Sequence, residues 1–241
     1  QLCLKKERNF PECRFMLGMI YLHQKQWNFA IQNLDKVIKL RRYLPDKTMI
    51  LDTYFMLAKA WLYMRPEDTL LDNGQKSGKK IMDEYIDLVI SSFADDPDFQ
   101  KRKNQRYSVN RHYYLAKAYF IKALFFRDSR KDHIYKKYFE LCLQHLKYDL
   151  DNYFDNVVFE KGLDDFIKQL LVLRNTRKSE WKRAWPLLEN MSICLFYIWE
   201  HNFHKGNHAL AAHYKRYALA INPHVLSLHL DQSYFDIFKK K

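Results

Sequence analysis

The stretch Phe15 to Leu40, FMLGMIYLHQKQWNFAIQNLDKVIKL, constrains the fold more than any other part of this chain. Leu17, Gly18 and Tyr21 lie on one helical face, at i, i+1 and i+4. After a polar break, HQKQ, the residues Ala30, Leu34 and Val37 recur at i, i+4 and i+7. Both halves carry the period of an amphipathic helix. The stretch predicts two short antiparallel helices, with small residues where they touch and large ones filling the space between them.

Composition extends that reading to the whole chain. Only five Gly and six Pro punctuate 241 residues, enough chain to bury a core. Long segments without a breaker predict an all-helical protein, because sheets and their hairpins need more turn residues. The 17 Tyr and 17 Phe are expected to fill gaps between stacked helices. Cys3, Cys13, Cys142 and Cys194 form no C-x-x-C pair and suggest no disulfide framework. Cys142 and Cys194 lie in apolar runs and are expected to be buried thiols, in a reducing, intracellular compartment, nuclear or cytoplasmic. The longest uncharged apolar run, Met191 to Trp199, is too short to span a bilayer. The chain begins with Gln and shows no signal-peptide pattern, so it is expected to be a fragment or a trimmed chain.

The first helix is expected from Pro11 to about Gln24, and its partner from Trp27 to about Tyr43. Proline is tolerated in a first helical turn. TYFMLAKAWLYM (53–64) repeats the first-helix pattern, with Leu57, Ala58 and Trp61 in the slots of Leu17, Gly18 and Tyr21. A polar loop over 67–80 leads to a second helix, Lys80 to Phe93. Leu115-Ala116-Lys117-Ala118-Tyr119 echoes Leu57-Ala58-Lys59-Ala60-Trp61, an internal repeat, and its partner helix is expected from Asp132 to Tyr148. Residues 149–185 fit least well: Leu163 to Leu173 is periodic, while RNTRKSEWKR (174–183) reads as a basic connector. A last pair, Pro186 to His201 and His208 to Ile221, precedes a capping helix, Val225 to Phe238. The domain reading is three helix pairs over 11–148, an irregular helical connector over 149–185, and a last pair plus cap over 186–241.

Leucine, glycine, aromatic, a second aromatic at the turn, then alanine and two apolar residues: this order closely resembles the tetratricopeptide repeat. The equivalent leucines, 17, 57 and 115, stand 40 and 58 residues apart, against about 34 in that family. The excess is assigned to loops between helices, where insertions are tolerated. The resemblance implies an all-α, TPR-like superhelix, an irregular solenoid whose terminal helix caps its open end. It also implies partner binding in a groove lined by first helices. Carried over slot by slot, the groove residues are Phe15, Met19, Leu22 and His23 in the first unit. In the second they are Phe55, Lys59 and Tyr63, and in the third Asn110, Tyr113 and Lys117. Such a surface suits an amphipathic helix or extended peptide. Phe15 and Met19 replace the lysine and asparagine with which the family's chaperone-binding members hold acidic C-terminal tails, so the resemblance disfavours that ligand.

The net charge of +13 is concentrated. Residues 99–137 hold twelve Lys or Arg against two acids, a net +10. Lys101, Arg102, Lys103, Arg106 and Arg111, interleaved with Tyr107, His112 and Tyr113, suit an anionic partner: nucleic acid, an acidic protein segment or anionic lipid. Phosphate contact there would be steeply salt-dependent, and the aromatics could stack on unpaired bases.

Other chemistry is weak. Gly74-Gln-Lys-Ser-Gly78-Lys79-Lys80 lacks the glycine spacing, the Ser/Thr and the preceding strand of a phosphate loop. His201, His204, His208 and His213 cluster with Cys194 nearby, residue types that bind zinc where three or four converge, and a solvated or capping role explains them as well. Asp95-Asp96 and Asp164-Asp165 sit at expected helix ends, where capping accounts for them. No nucleophile–base arrangement is readable, so no cofactor, metal or catalysis is expected. The expected function is a non-catalytic scaffold, a subunit of a larger assembly, that holds a partner's helix or peptide while segment 99–137 faces an anionic neighbour. The alternatives are an RNA- or DNA-contacting module and a fragment of an enzyme or regulator whose catalytic domain lies elsewhere.

Overall fold

The structure, a computed structural model, describes residues 10–44, 48–64, 77–94, 107–128, 132–154 and 162–227. Among them are ten α-helices and no strand. These are α1 (Pro11–His23), α2 (Trp27–Lys39), α3 (Thr48–Met64), α4 (Gly78–Ala94), α5 (Tyr107–Asp128), α6 (Asp132–Tyr153), α7 (Leu163–Thr176), α8 (Lys178–Arg183), α9 (Trp185–His204) and α10 (His208–Ile221). The all-α reading holds. The chain divides into two compact units, Gln1–Asp96 and Pro97–Lys241.

In the first unit consecutive helices pack in order, α1 on α2, α2 on α3 and α3 on α4, and α1 also meets α3. Pro11 occupies the first turn of α1, where its missing N–H costs nothing. Leu34 and Val37 of α2 are fully buried with Phe15, Leu57 and Ala60, and Met19, Leu22 and Met56 pack against that cluster. Gly18 makes the α1–α2 approach possible: a Cβ there would lie 2.5 Å from Leu34 Cδ2, closer than carbon atoms can pack. Asn33, buried on α2, accepts from Arg14 Nη1 of α1 at 3.1 Å and donates to the Phe29 carbonyl at 2.8 Å. The buried amide is thereby satisfied and fixes the register.

In the second unit α5 and α6 run antiparallel, as Phe126–Tyr138 and Tyr119–His145, each 5.5 Å between ring centres, show. α9 then lies antiparallel on α6: Tyr197 stacks on Phe139 at 5.4 Å, Tyr135 hydroxyl bonds His201 Nδ1, and Cys194 Sγ contacts the Phe139 carbonyl at 3.4 Å. Cys142 and Cys194 are buried free thiols, as expected. α10 folds back on α9 and meets α7, where His213 Nε2 lies 2.7 Å from Asp164 Oδ1 and Arg174 donates to the Ala220 carbonyl at 3.1 Å.

Several expectations need correction. Residues 178–183 are helical, not a bare connector: Trp181 is buried, and Arg177 at the N-cap position donates to the Phe154 carbonyl at 3.0 Å and pairs with Glu180. A single apolar anchor leaves no periodicity to detect. α6 runs on to Tyr153 because Asp149 and Leu150 continue its buried face. Cys13 is disulfide-bonded, against the expectation of no disulfide; one isolated bridge leaves no spacing pattern to read. Beyond α10 Val225–Ser227 form a short 3-10 turn; the rest of the stretch expected to be a capping helix, Val225 to Phe238, lies outside the described residues.

Candidate functional site

The first-helix slots of the first unit come from α1 and α3, which are neighbours. Phe15 is only 8% exposed and belongs to the core, and Phe55 is 4% exposed. Both are packed into the chain's own core, because the inward face of a first helix also packs on its own partner helix. What remains accessible is Met19, Leu22 and Lys59, each half-buried, with His23 exposed and Tyr63 at 37% exposure. Tyr63 is held by stacking on Trp27 of α2, 5.1 Å between centres and 17° from parallel. The surface is thus apolar and aromatic, with one ammonium group. An exposed strip that the sequence did not single out, Met16 and Ile20 one turn apart, lies on another face of α1.

The third set belongs to the second unit. Tyr113 is 5% exposed and packs edge-on against Tyr114, Lys117 is half-buried, and Asn110 lies on α5 with its side chain outside the described residues. Lys101, Arg102, Lys103 and Arg106 also lie outside the described residues. Arg111 is half-buried on α5, with its Nε fully buried. The basic segment is therefore not uniformly displayed: Lys122 is 4% exposed, its Nζ 5.7 Å from the ring centres of Phe126 and Tyr138. Its charge is stabilised by ring faces rather than offered to solvent.

The histidines of α9 and α10 do not converge. His201 is taken by Tyr135 and His213 by Asp164, while His204 and His208 are exposed at the turn. Among the described residues no three or more His, Cys, Asp or Glu side chains form a metal-binding group. In the glycine-lysine stretch, Gly78 begins α4, and Ser77 Oγ accepts from the Lys80 N–H at 3.3 Å, so the serine acts as a helix cap.

Sequence reasoning missed a histidine pair. His112 of α5 and His145 of α6 bring their Nδ1 atoms to 2.9 Å. Burial, then the Arg111 charge, holds His112 down to about 4. Burial, then His112 and Arg111, does the same for His145. Both are neutral near pH 7, so one Nδ1–H donates to the other ring's lone pair. No sequence spacing signals a pair 33 residues apart. The available signal is that both stand about equally far from the turn of an antiparallel hairpin.

No family model matches the chain, and no curated protein matches it. Among solved structures, a crystal structure of MamA protein is similar with a TM-score of 0.37 and 13% identity, over 92% of this chain and 97% of that one. No described helix is long and apolar enough to cross a membrane.

Proposed function

We propose that the chain is a non-catalytic interaction module that holds a helix or extended peptide of a partner protein on its first unit, as part of a larger assembly. The observation that carries this reading is the adjacency of α1 and α3, which leaves Met19, Leu22, Lys59 and Tyr63 accessible on successive first helices. Apolar and aromatic side chains already ordered by packing lose little entropy on binding, so they suit the anchors of a partner helix. Lys59 adds a preference for a ligand with an acidic residue near its apolar face. Segment 99–137 would speed and orient docking of an anionic partner rather than supply affinity.

The test is affinity capture from cell extract with quantitative mass spectrometry, with and without nuclease, using wild type and a Lys59→Glu/Tyr63→Ala variant. The variant replaces accessible groups, and its melting temperature is measured alongside. A stoichiometric protein partner that survives nuclease and is lost with the variant is expected. Partners lost on nuclease treatment but kept by the variant would replace this reading with a nucleic-acid-contacting module.

A further inference from the structure

We propose that the outward face of α2 and the turn after it bind single-stranded nucleic acid, with Lys36, Lys39, Arg41 and Arg42 on the phosphates and Phe29 and Tyr43 under the bases. Phe29, Lys36 and Lys39 stand at i, i+7 and i+10, on the side of α2 away from the buried Leu34 and Val37. A 3-10 turn, Arg41–Tyr43, follows directly. Phe29 is 54% and Tyr43 56% exposed, and all four cations are exposed. From His23 to Leu44 five Lys or Arg stand against one acid. That acid, Asp35, is half-buried and lies beside Lys39. The helix dipole accounts for cations in the last turn of α2, Lys36 and Lys39, but not for the two arginines beyond it.

The two rings are held ready for stacking. Phe29 rests against Tyr21 of α1, 5.4 Å between centres, and Tyr43 carries the Arg42 guanidinium 4.7 Å from its ring centre. Each ring is steadied on one side and open elsewhere, so little entropy is lost when a base stacks. They stand about 20 Å apart at 1.5 Å per residue, room for about six nucleotides at 3.4 Å each. The pattern separates the three anionic partners that the net charge admits. A bilayer needs apolar groups deeper than cations, whereas Lys36 and Lys39 point the same way as Phe29 and lie between the two rings. An acidic peptide satisfies the cations and leaves both rings idle. A single strand uses both, its backbone on the cations and its bases on the rings. The face is separate from the accessible residues of α1 and α3, so the inference is independent of the groove reading.

The experiment is fluorescence anisotropy of the full 241-residue chain with a labelled oligothymidylate of about twelve nucleotides. Parallel arms use a polyglutamate peptide and phosphatidylserine vesicles. The oligonucleotide is expected to bind, with log affinity falling against log salt at a slope of about −2 to −3, because about four phosphates are neutralised at about 0.7 each. Lys36→Gln/Lys39→Gln/Arg41→Gln/Arg42→Gln should weaken binding about tenfold or more and flatten that slope. Phe29→Ala/Tyr43→Ala should weaken it about fivefold or more with the slope unchanged. Both variants should keep the helical circular dichroism. Should either fail to fold, photocrosslinking of wild type to a 5-bromouracil strand, mapped by mass spectrometry, decides the question. Crosslinks at Phe29 or Tyr43 support the site, and crosslinks that spare both overturn it. Absence of binding, unchanged affinity in either folded variant, or tighter binding of polyglutamate or vesicles than of the oligonucleotide would also overturn it.

Discussion

Two hairpins, α1–α2 in the first unit and α9–α10 in the second, close through the same turn. Lys25 and Gly206 both take positive φ, 57° and 76°. The N–H of each donates back three residues, and the next N–H, of Gln26 or Asn207, donates back five, to Tyr21 at 2.8 Å and Asn202 at 2.9 Å. This is the Schellman arrangement, which satisfies the last carbonyls of the first helix. Counting from the turn, Ala30 matches Ala211 and Val37 matches Ala218, and all four are buried. The central cross-helix pair does not match. Gly18 facing Leu34 in one hairpin corresponds to Trp199 facing Lys215 in the other, with Lys215 Nζ 5.0 Å from the Trp199 ring centre. The turn and the small buried positions are dictated by backbone geometry. The middle of the seam can be closed either by a bare backbone under a leucine or by an indole under a lysine stem.

The largest test of that contrast lies at Leu34. Leu34→Ala should cost about 2–5 kcal/mol and Gly18→Ala about 1–3 kcal/mol, the first by a cavity and the second by overpacking. The double variant should cost less than the two single losses together, because the new methyl partly fills the vacated space. A double-mutant cycle in urea measures this, and strict additivity would mean that the two residues are not the paired closure of the seam.

The turn comes next in size, and its two residues should respond with opposite sign. Gly206→Ala forces a Cβ into the left-handed region at a cost of about 1–2 kcal/mol. Lys25→Gly removes that same strain, and the greater freedom of glycine in the unfolded chain limits the gain to about 1 kcal/mol. Thermal melts of the two variants should therefore move in opposite directions, and a shared direction would break the equivalence of the turns. The smallest effect belongs to Lys215→Gln, which removes a half-buried cation–ring contact worth about 0.5–1 kcal/mol. A loss as large as that of Leu34→Ala would show the second seam to depend on its charge.

The same contrast explains what could be read from sequence. α1, α2 and α10 were legible within a few residues because Gly18, Ala30, Leu34, Ala211 and Ala218 leave a helical period around a polar break. α8 was not, since Trp181 is its sole buried side chain. For the surface, the slots carried over from the repeat resemblance put Phe15, Phe55 and Tyr113 in the groove, whereas all three are buried in the core. On the same helices Met19 and Leu22 are half-buried against that core, and Tyr63 is 37% exposed. The His112–His145 contact depends on two helices meeting, which no local pattern encodes.

The three-residue turns at 24–26 and 205–207 also bear on how quickly this chain finds its fold. Their helices touch partners only a short loop away, so most loop-closure entropy is met in small steps before any distant contact is needed. Each hairpin can zip outward from its own reversal. The slow events are left to the pairings that skip along the chain, such as α7 reaching α10 through Asp164 and His213.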